Sequence, residues 1–207
     1  VENVEREKVP EVQKEFNNRA MEVCEGQQYD IDFERRDKVS LAEYMNMIRL
    51  KTAVLMAGAC KIGAIIGGAS EVESDILYRF GLEFGFGFQL QDDYLDTYGT
   101  AEILGKNIGG DIEEKKKTFL TINALQEAGD ATRRAMLSTL DDQSLPLSHK
   151  ISRIRTIYNS LDVPAITLSA IEGHFGTAIE AIDQLKVSPE RTAPLRDVLA
   201  ALSKRNK

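Results

Sequence analysis

The segment Phe88-Gln89-Leu90-Gln91-Asp92-Asp93-Tyr94-Leu95-Asp96 places three carboxylates in a mostly apolar run without proline. As an α-helix it advances about 100° per residue, so Gln89 and the three aspartates project within an arc of roughly 100°. Such carboxylates repel one another and resist desolvation. They therefore form either a solvated acidic surface or a cation site. Oxygen ligands without Cys or His favour Mg²⁺ over zinc.

Glycines precede this cluster on the same predicted helix face. Gly81 and Gly85 lie one and two turns before the aspartates. Because glycine inside a helix costs up to about 1 kcal/mol, their presence indicates that something passes close to this face. The sequence leaves two candidates open, a neighbouring helix or an apolar ligand below a metal site.

Two lysines are candidates for anion binding. Lys106 stands between glycines in the segment at 105–111, a pattern that suits phosphate contact and is also typical of a turn. Lys51 lies beside Thr52 on the apolar stripe of a predicted helix, between Ile48 and Leu55. A lysine aimed at a core must be paired or must extend its ammonium group to water, so Lys51 either reaches solvent or binds an anion.

Taken together, these motifs resemble the second aspartate-rich region of the trans-isoprenyl diphosphate synthases. The matching patterns are FQxxDDxxD at 88–96, GKxxGxDI at 105–112 and Lys116-Lys117-Thr118. Gly26-Gln27 with Asp30, and Lys51-Thr52, match the family in the same order. The resemblance covers roughly the last two-thirds of a family member, because the first aspartate-rich motif and its Arg pair are absent.

The resemblance implies a fold and a set of site residues. The fold is an all-α multi-helix bundle around a central cavity, and Mg²⁺ is the expected cofactor. The implied metal residues are Asp92, Asp93 and Asp96. The implied contacts to the allylic diphosphate are Lys51, Lys106 and Lys116. Gln89 and Thr52 are implied to face the carbocation at the reacting end of that substrate.

The implied reaction joins an allylic diphosphate to isopentenyl diphosphate. The allylic C–O bond ionises, the cation alkylates the second substrate and a proton is lost, usually in a homodimer. One alternative is a class I terpene cyclase, whose second metal motif typically mixes Asn, Ser and Glu. The other is a non-catalytic partner subunit, against which the retained lysines and aspartates argue.

Composition narrows the other classes of function. The formal net charge of -7 and the lack of a basic stripe argue against a nucleic-acid partner. The longest apolar run, 53–69, is interrupted by Lys61, so we expect no membrane span. Cys24 and Cys60 lack metal-ligand spacing and are expected to be buried in a reducing, cytoplasmic setting.

Helical spacing and caps predict an all-α chain without β-runs or repeats. The expected helices are 10–24, ended by Gly26, then 41–66, 71–98, 117–127, 131–141, 147–160 and 162–185, with a last one opening at Ser188. Asp111 is expected to cap a helix N-terminus. We expect residues 1–207 to form one all-α domain lacking the N-terminal helices that carry the first motif. Made alone, it should be aggregation-prone and without measurable prenyl transfer.

Overall fold

The computed structural model describes residues 4–100 and 108–204, and within these ranges the chain is helical without a strand. The helices are α1 Val9–Glu34, α2 Leu41–Ile48, a π-helical segment Arg49–Ala53, α3 Val54–Ile66, α4 Glu71–Tyr98, α5 Gly110–Glu113, α6 Phe119–Glu127, α7 Asp130–Asp141, α8 Leu147–Ser160, α9 Val163–Asp183 and α10 Pro189–Ser203. The predicted all-α class is confirmed.

Two helices begin at capping boxes that the sequence predicts. At α2, the Glu43 amide donates to Ser40 Oγ at 3.2 Å, and the Ser40 amide donates to Glu43 Oε2 at 2.8 Å. Ser70 and Glu73 make the same pair of bonds at the start of α4. Each box satisfies amide groups that the first helical turn leaves without partners, so both starts are fixed locally.

The predicted helix at 41–66 is continuous, but it contains a π-helical segment that the sequence does not reveal. This segment, Arg49–Ala53, carries Lys51 and Thr52. A π-turn widens the helix by one residue and rotates the side chains that follow it. It therefore changes which direction these two side chains take relative to the apolar stripe.

The prediction that Gly26 ends the first helix is wrong. Helix α1 continues to Glu34. A Cβ at Gly26 would lie 2.3 Å from the Lys51 nitrogen and 2.7 Å from the Leu50 carbonyl carbon. Gly26 therefore marks the place where α1 and the π-helical segment meet backbone to backbone, rather than a helix stop.

Helix α4 lies at the centre of the fold and packs closely on α3 and on the π-helical segment. A Cβ at Gly81 would lie 2.7 Å from Ala57 Cα of α3, and one at Gly85 would lie 2.5 Å from Ala53 Cα of the π-helical segment. These glycines are therefore explained by close packing against a neighbouring helix. The alternative, that they make room for an apolar ligand along this face, is wrong. On another side of α4, Gly87 makes room for the Phe175 ring of α9.

Buried apolar side chains form two clusters that α4 connects. The larger joins α2, α4, α6, α9 and α10 around residues such as Leu90 and Ile171, and the smaller joins α6, α7 and α8 around Met136 and Ile154.

Cys24 is exposed, contrary to its predicted burial, while burial raises the pKa of the half-buried Cys60 thiol to about 11. Among the described helices, none combines the length and apolar character needed to cross a bilayer.

Adding a methyl group at Gly85 should destabilise the protein. Because the new Cβ of Gly85→Ala would overlap Ala53, we expect a loss of about 1–3 kcal/mol in the free energy of unfolding. Gly173→Ala is the matched control, since nothing lies within 4 Å of a Cβ there and alanine favours a helix interior. Thermal melts should show a lower Tm for Gly85→Ala and an equal or higher Tm for Gly173→Ala. Equal decreases in both would contradict the packing argument.

Candidate active site

A polar pocket of about 230 Å³ opens where α1, α2, the π-helical segment, α4 and the residues after α5 converge. Its lining combines apolar side chains with five carboxylates and three lysines. These are Asp30, Phe33, Glu34, Tyr44, Met47, Ile48, Lys51, Gln89, Asp92, Asp93, Asp111, Lys116, Lys117 and Thr118. Carboxylates outnumber lysines, so the pocket can attract a cation while it keeps groups that bind an anion.

Of the four polar side chains on α4 that the sequence predicts to share one face, three line this pocket. Gln89, Asp92 and Asp93 line it, with Asp93 5% exposed. Asp96 is 2% exposed and is not part of the lining. Its Oδ2 accepts the backbone N–H of Asp111 at 3.0 Å, so it fixes the start of α5 against α4.

A chain of hydrogen bonds joins α2, α4 and the π-helical segment inside the pocket. Tyr44 donates its hydroxyl to Asp93 Oδ2 at 2.5 Å, and Gln89 Nε2 donates to Asp93 Oδ1 at 2.9 Å. Thr52 Oγ1 in turn donates to Gln89 Oε1 at 2.8 Å. Gln89 and Thr52, predicted as neighbours of a reacting carbon, are therefore brought into direct contact with each other.

The surroundings of the Asp93 carboxyl group disfavour its ionised form. Burial, the nearby Asp111 carboxylate and, to a smaller extent, Asp92 raise the pKa of Asp93 to about 7, although the bonds from Tyr44 and Gln89 oppose this rise. Burial and the Asp93 charge also raise the pKa of Tyr44 well above its ordinary value. A carboxyl with such a raised pKa gains from a cation placed nearby.

The lysines on the pocket wall have different partners. Lys51 Nζ lies 2.5 Å from Asp30 Oδ2, which draws this side chain to the pocket. Lys116 Nζ lies 3.2 Å from Asp111 and 3.1 Å from Glu114; burial lowers its pKa, but these two carboxylates outweigh burial and raise it above the usual range. Lys106 lies outside the described residues.

Lys117 is a third lysine of the pocket, next to the predicted Lys116. Its Nζ donates to the Glu34 backbone carbonyl at 3.4 Å. Within residues 4–100 and 108–204, no carboxylate forms an ion pair with it. Its charge is thus available to an anion entering from the α1 side.

A left-handed turn directs these lysines towards the pocket. Lys115, just after α5, has φ 55° although it is not glycine, and its Nζ lies 2.6 Å from Asp141. At the other end of α5, Gly109 has φ 85° and precedes the helix. Asp111 lies in the first turn instead of capping it, so the prediction of an Asp111 N-cap is wrong.

The donor atoms of the pocket fit a hard cation bound together with an anionic ligand. In the described part of the chain, no three His, Cys, Asp or Glu side chains are grouped to hold a metal ion by themselves. Magnesium rarely uses an all-protein site; it takes one or two carboxylates and completes its shell with water and substrate phosphates. Asp92 and Asp111, both on the lining, can provide such oxygens.

The comparison with protein families is decisive. A sequence profile described as Polyprenyl synthetase matches residues 1–160. The chain belongs to the polyprenyl synthetase family. The resemblance inferred from the aspartate and lysine motifs is therefore confirmed.

Relatives within the polyprenyl synthetase family are synthases of isoprenyl diphosphates. The geranylgeranyl diphosphate synthase of Methanosarcina mazei is 39% identical over 178 residues, which are 84% of this chain and 52% of that protein. A short chain isoprenyl diphosphate synthase of Methanothermobacter thermautotrophicus is 36% identical over 93% of this chain and 58% of its own. The chain spans a little over half the length of these two curated relatives.

Solved structures of the polyprenyl synthetase fold superpose closely. A geranylgeranyl pyrophosphate synthase with 37% identity gives a TM-score of 0.90 over 98% of this chain and 63% of its own. The Corynebacterium glutamicum geranylgeranyl pyrophosphate synthase, complexed with isoprenyl diphosphate and magnesium, also gives 0.90, with 27% identity over 98% of this chain and 57% of its own.

The sequence did not assign pocket roles to Asp30, Tyr44, Asp111 and Lys117. Tyr44 lies seven residues before Lys51, which is a same-face spacing and the one local signal that could have linked it to the site. Asp111 reaches the pocket because Asp96 binds its backbone, a contact across 15 positions. Asp30 matches the family pattern in the sequence, but its contact with Lys51 follows only from the extension of α1 past Gly26.

The raised pKa of Asp93 should make stability depend on pH. Its charged form is disfavoured in the fold, so stability should fall as pH rises from the ordinary value of 3.8 through about 7, where the folded group ionises. Without divalent metal, Asp93→Asn should flatten the decline of Tm over this range. The exposed Asp197→Asn is the control and should leave the slope unchanged. Parallel slopes for all three proteins would refute the assignment.

Proposed function

We propose that this protein is a trans-prenyltransferase. It condenses an allylic diphosphate with isopentenyl diphosphate to give a longer isoprenyl diphosphate and diphosphate. The observation that carries the proposal is one pocket lined by Asp92, Asp93, Lys51, Lys116 and Lys117 in a polyprenyl synthetase chain. The chemical demand is the departure of a highly charged diphosphate, which needs cations around it.

The lysines bind and orient the allylic diphosphate in this proposal. Lys51 approaches from the π-helical segment and Lys116 from the turn after α5, so the two ammonium groups reach the pocket from different walls. Charge-assisted bonds from separate walls hold the leaving group in one orientation and stabilise negative charge as it develops. Lys106 belongs to this set through its sequence motif.

The aspartates of α4 form the metal side of the site. Asp92 is the proposed direct ligand to Mg²⁺, with Asp93 and Asp96 acting through water or through the position of neighbouring groups. When bound with the diphosphate, Mg²⁺ supplies positive charge to the leaving oxygens. Asp96 also keeps Asp111 and the lysine-bearing turn next to α4, as its bond to the Asp111 amide indicates.

Gln89 and Thr52 are proposed to face the allylic carbon as it becomes a cation. Gln89 Oε1 accepts from Thr52 and retains a second lone pair that can be directed into the pocket. A fixed carbonyl dipole near a developing positive charge stabilises the transition state more than the ground state. Residues around the diphosphate should therefore affect substrate binding, whereas Gln89 should affect turnover.

Assembly and domain organisation remain part of the proposal. We propose a homodimer, supported by Phe16 and Met21 of α1, which are each 59% exposed. We also propose that residues 1–207 act as one all-α domain within this enzyme. Sedimentation velocity of the complete protein tests the dimer, and a monomer at micromolar concentration would exclude it.

The substrate requirement tests the reaction against its alternatives. The complete protein, with Mg²⁺ and both diphosphates, should yield a longer isoprenyl diphosphate, which mass spectrometry can detect. A terpene cyclase would consume the allylic diphosphate without isopentenyl diphosphate. A non-catalytic subunit would show no turnover until a catalytic chain is added. The named relatives are prenyl diphosphate synthases and favour neither alternative.

Removing the proposed direct ligand should reduce turnover without disturbing the fold. For Asp92→Ala we expect kcat to fall by roughly 100-fold to 1,000-fold and the response to Mg²⁺ to weaken, because leaving-group charge is no longer offset. Helicity by circular dichroism should be unchanged. Asp197→Ala, at an exposed aspartate of α10, is the control. Near-normal activity and Mg²⁺ response in Asp92→Ala would refute the metal assignment.

Lys51→Ala should raise the KM for the allylic diphosphate more than the KM for isopentenyl diphosphate. Lys61→Ala is a close control, since Lys61 forms a similar ion pair, 2.7 Å from Asp75, away from the pocket. Steady-state kinetics with each substrate varied in turn provide the measurement. Equal effects on both KM values, or the same result for Lys61→Ala, would mean that Lys51 only extends its ammonium group to solvent.

A further inference from the structure

We propose that Tyr44 is a positioning residue that fixes the direction of the Gln89 amide through Asp93. This inference rests on the proposed function, because the direction matters when Gln89 faces a carbocation. It concerns a hydroxyl on α2 that none of the sequence motifs includes. Tyr44 is 49 positions from Asp93 along the chain and meets it only in the folded protein.

Both oxygens of Asp93 accept hydrogen bonds from neutral donors. Tyr44 donates to Oδ2 at 2.5 Å and Gln89 Nε2 donates to Oδ1 at 2.9 Å. Tyr44 is 2% exposed and Asp93 is 5% exposed, so water competes little for these bonds. Asp93 is therefore held from two sides and behaves as a rigid acceptor between α2 and the neighbouring turn of α4.

The hydrogen bonds on both sides of Gln89 make the arrangement directional. Its NH₂ group faces Asp93 Oδ1, while the other oxygen of that carboxyl group is occupied by the Tyr44 hydroxyl. The amide oxygen is then turned towards Thr52, whose hydroxyl donates to it at 2.8 Å. Thr52 alone could not impose this direction, because a hydroxyl can either donate or accept. Asp93 is the second partner that sets this direction, and Tyr44 keeps Asp93 in place.

The Tyr44 ring is held independently of its hydroxyl. It packs against Phe119 of α6, with ring centroids 6.3 Å apart, and belongs to the larger apolar cluster. Replacing tyrosine by phenylalanine thus removes the hydroxyl while it retains the ring contacts. The buried Asp93 Oδ2 then loses a donor, and the carboxylate is free to turn towards the pocket. Gln89 loses its fixed acceptor as a result.

The closest control is Tyr158→Phe. Tyr158 is also buried, at 1% exposure, and its hydroxyl pairs with Thr121 at 3.0 Å in the smaller cluster. The two variants therefore remove the same group from comparable surroundings. Circular dichroism and thermal melts of the complete protein verify that each variant is folded before the other measurements.

The first measurement needs no substrate. The Gln89 side-chain amide resonance, assigned by its loss in Gln89→Met, should shift or broaden in Tyr44→Phe and stay in place in Tyr158→Phe. Asp93→Asn should move it as well, and adding Tyr44→Phe to Asp93→Asn should change it little further, because both act through one contact. The double variant Tyr44→Phe with Asp93→Asn has no buried carboxylate left without its Tyr44 donor. It can therefore be tested even if Tyr44→Phe alone does not fold. An unmoved resonance in Tyr44→Phe, or additive shifts, would overturn the proposal.

The second measurement separates turnover from binding. In Tyr44→Phe, kcat should fall by roughly 10-fold to 100-fold, while the KM for the allylic diphosphate stays within about twofold. A raised KM with unchanged kcat would overturn the proposal, as would an equal loss in Tyr158→Phe. If the wild-type protein elongates no allylic diphosphate, the proposed function fails instead, and the Gln89 resonance alone decides the role of Tyr44.

Discussion

Close backbone contact between helices is the constraint on which the rest of the structure depends. Helix α4 can approach α3 at Gly81 and the π-helical segment at Gly85 because these residues have no side chain, and α1 can approach the π-helical segment because of Gly26. These contacts set the distance from Gln89 to Thr52, which leaves room for a direct hydrogen bond. Glycine lowers the helix propensity of each helix by itself. The same glycines allow the close packing on which the polar site depends.

The site is shared among elements that are far apart in the sequence. Carboxylates come from α1, α4 and α5, and lysines come from the π-helical segment and the turn after α5. Asp96 connects two of these sources, since it belongs to α4 and binds the backbone at the start of α5. Its structural contact therefore serves the chemistry even though its side chain does not line the pocket. This division explains how one aspartate-rich motif can both bind ligands and hold the opposite wall.

The sequence pattern predicted the parts of the fold that depend on interactions between residues close together in the chain. Apolar periodicity and capping boxes placed α4 and the start of α2, and the family resemblance implied site roles for Asp92 and Lys51, which both line the pocket. The errors arose where tertiary contact decides. Gly26 signals a stop in isolated sequence but here serves an interhelical contact. Tyr44 carries no local mark of its bond to Asp93, because that bond exists only after α2 and α4 have packed.

The left-handed backbone of Lys115 has a consequence for how the site could change. A non-glycine residue in this conformation costs roughly 1–2 kcal/mol, and the surrounding contacts must sustain it, including the ion pair with Asp141. Glycine at this position would relieve the strain but would also widen the range of paths open to the next two lysines. Rigidity of the wall that carries Lys116 and Lys117 and thermodynamic stability are thus opposed at a single residue. A substitution at Lys115 that is favoured for heat resistance could therefore be disfavoured for turnover.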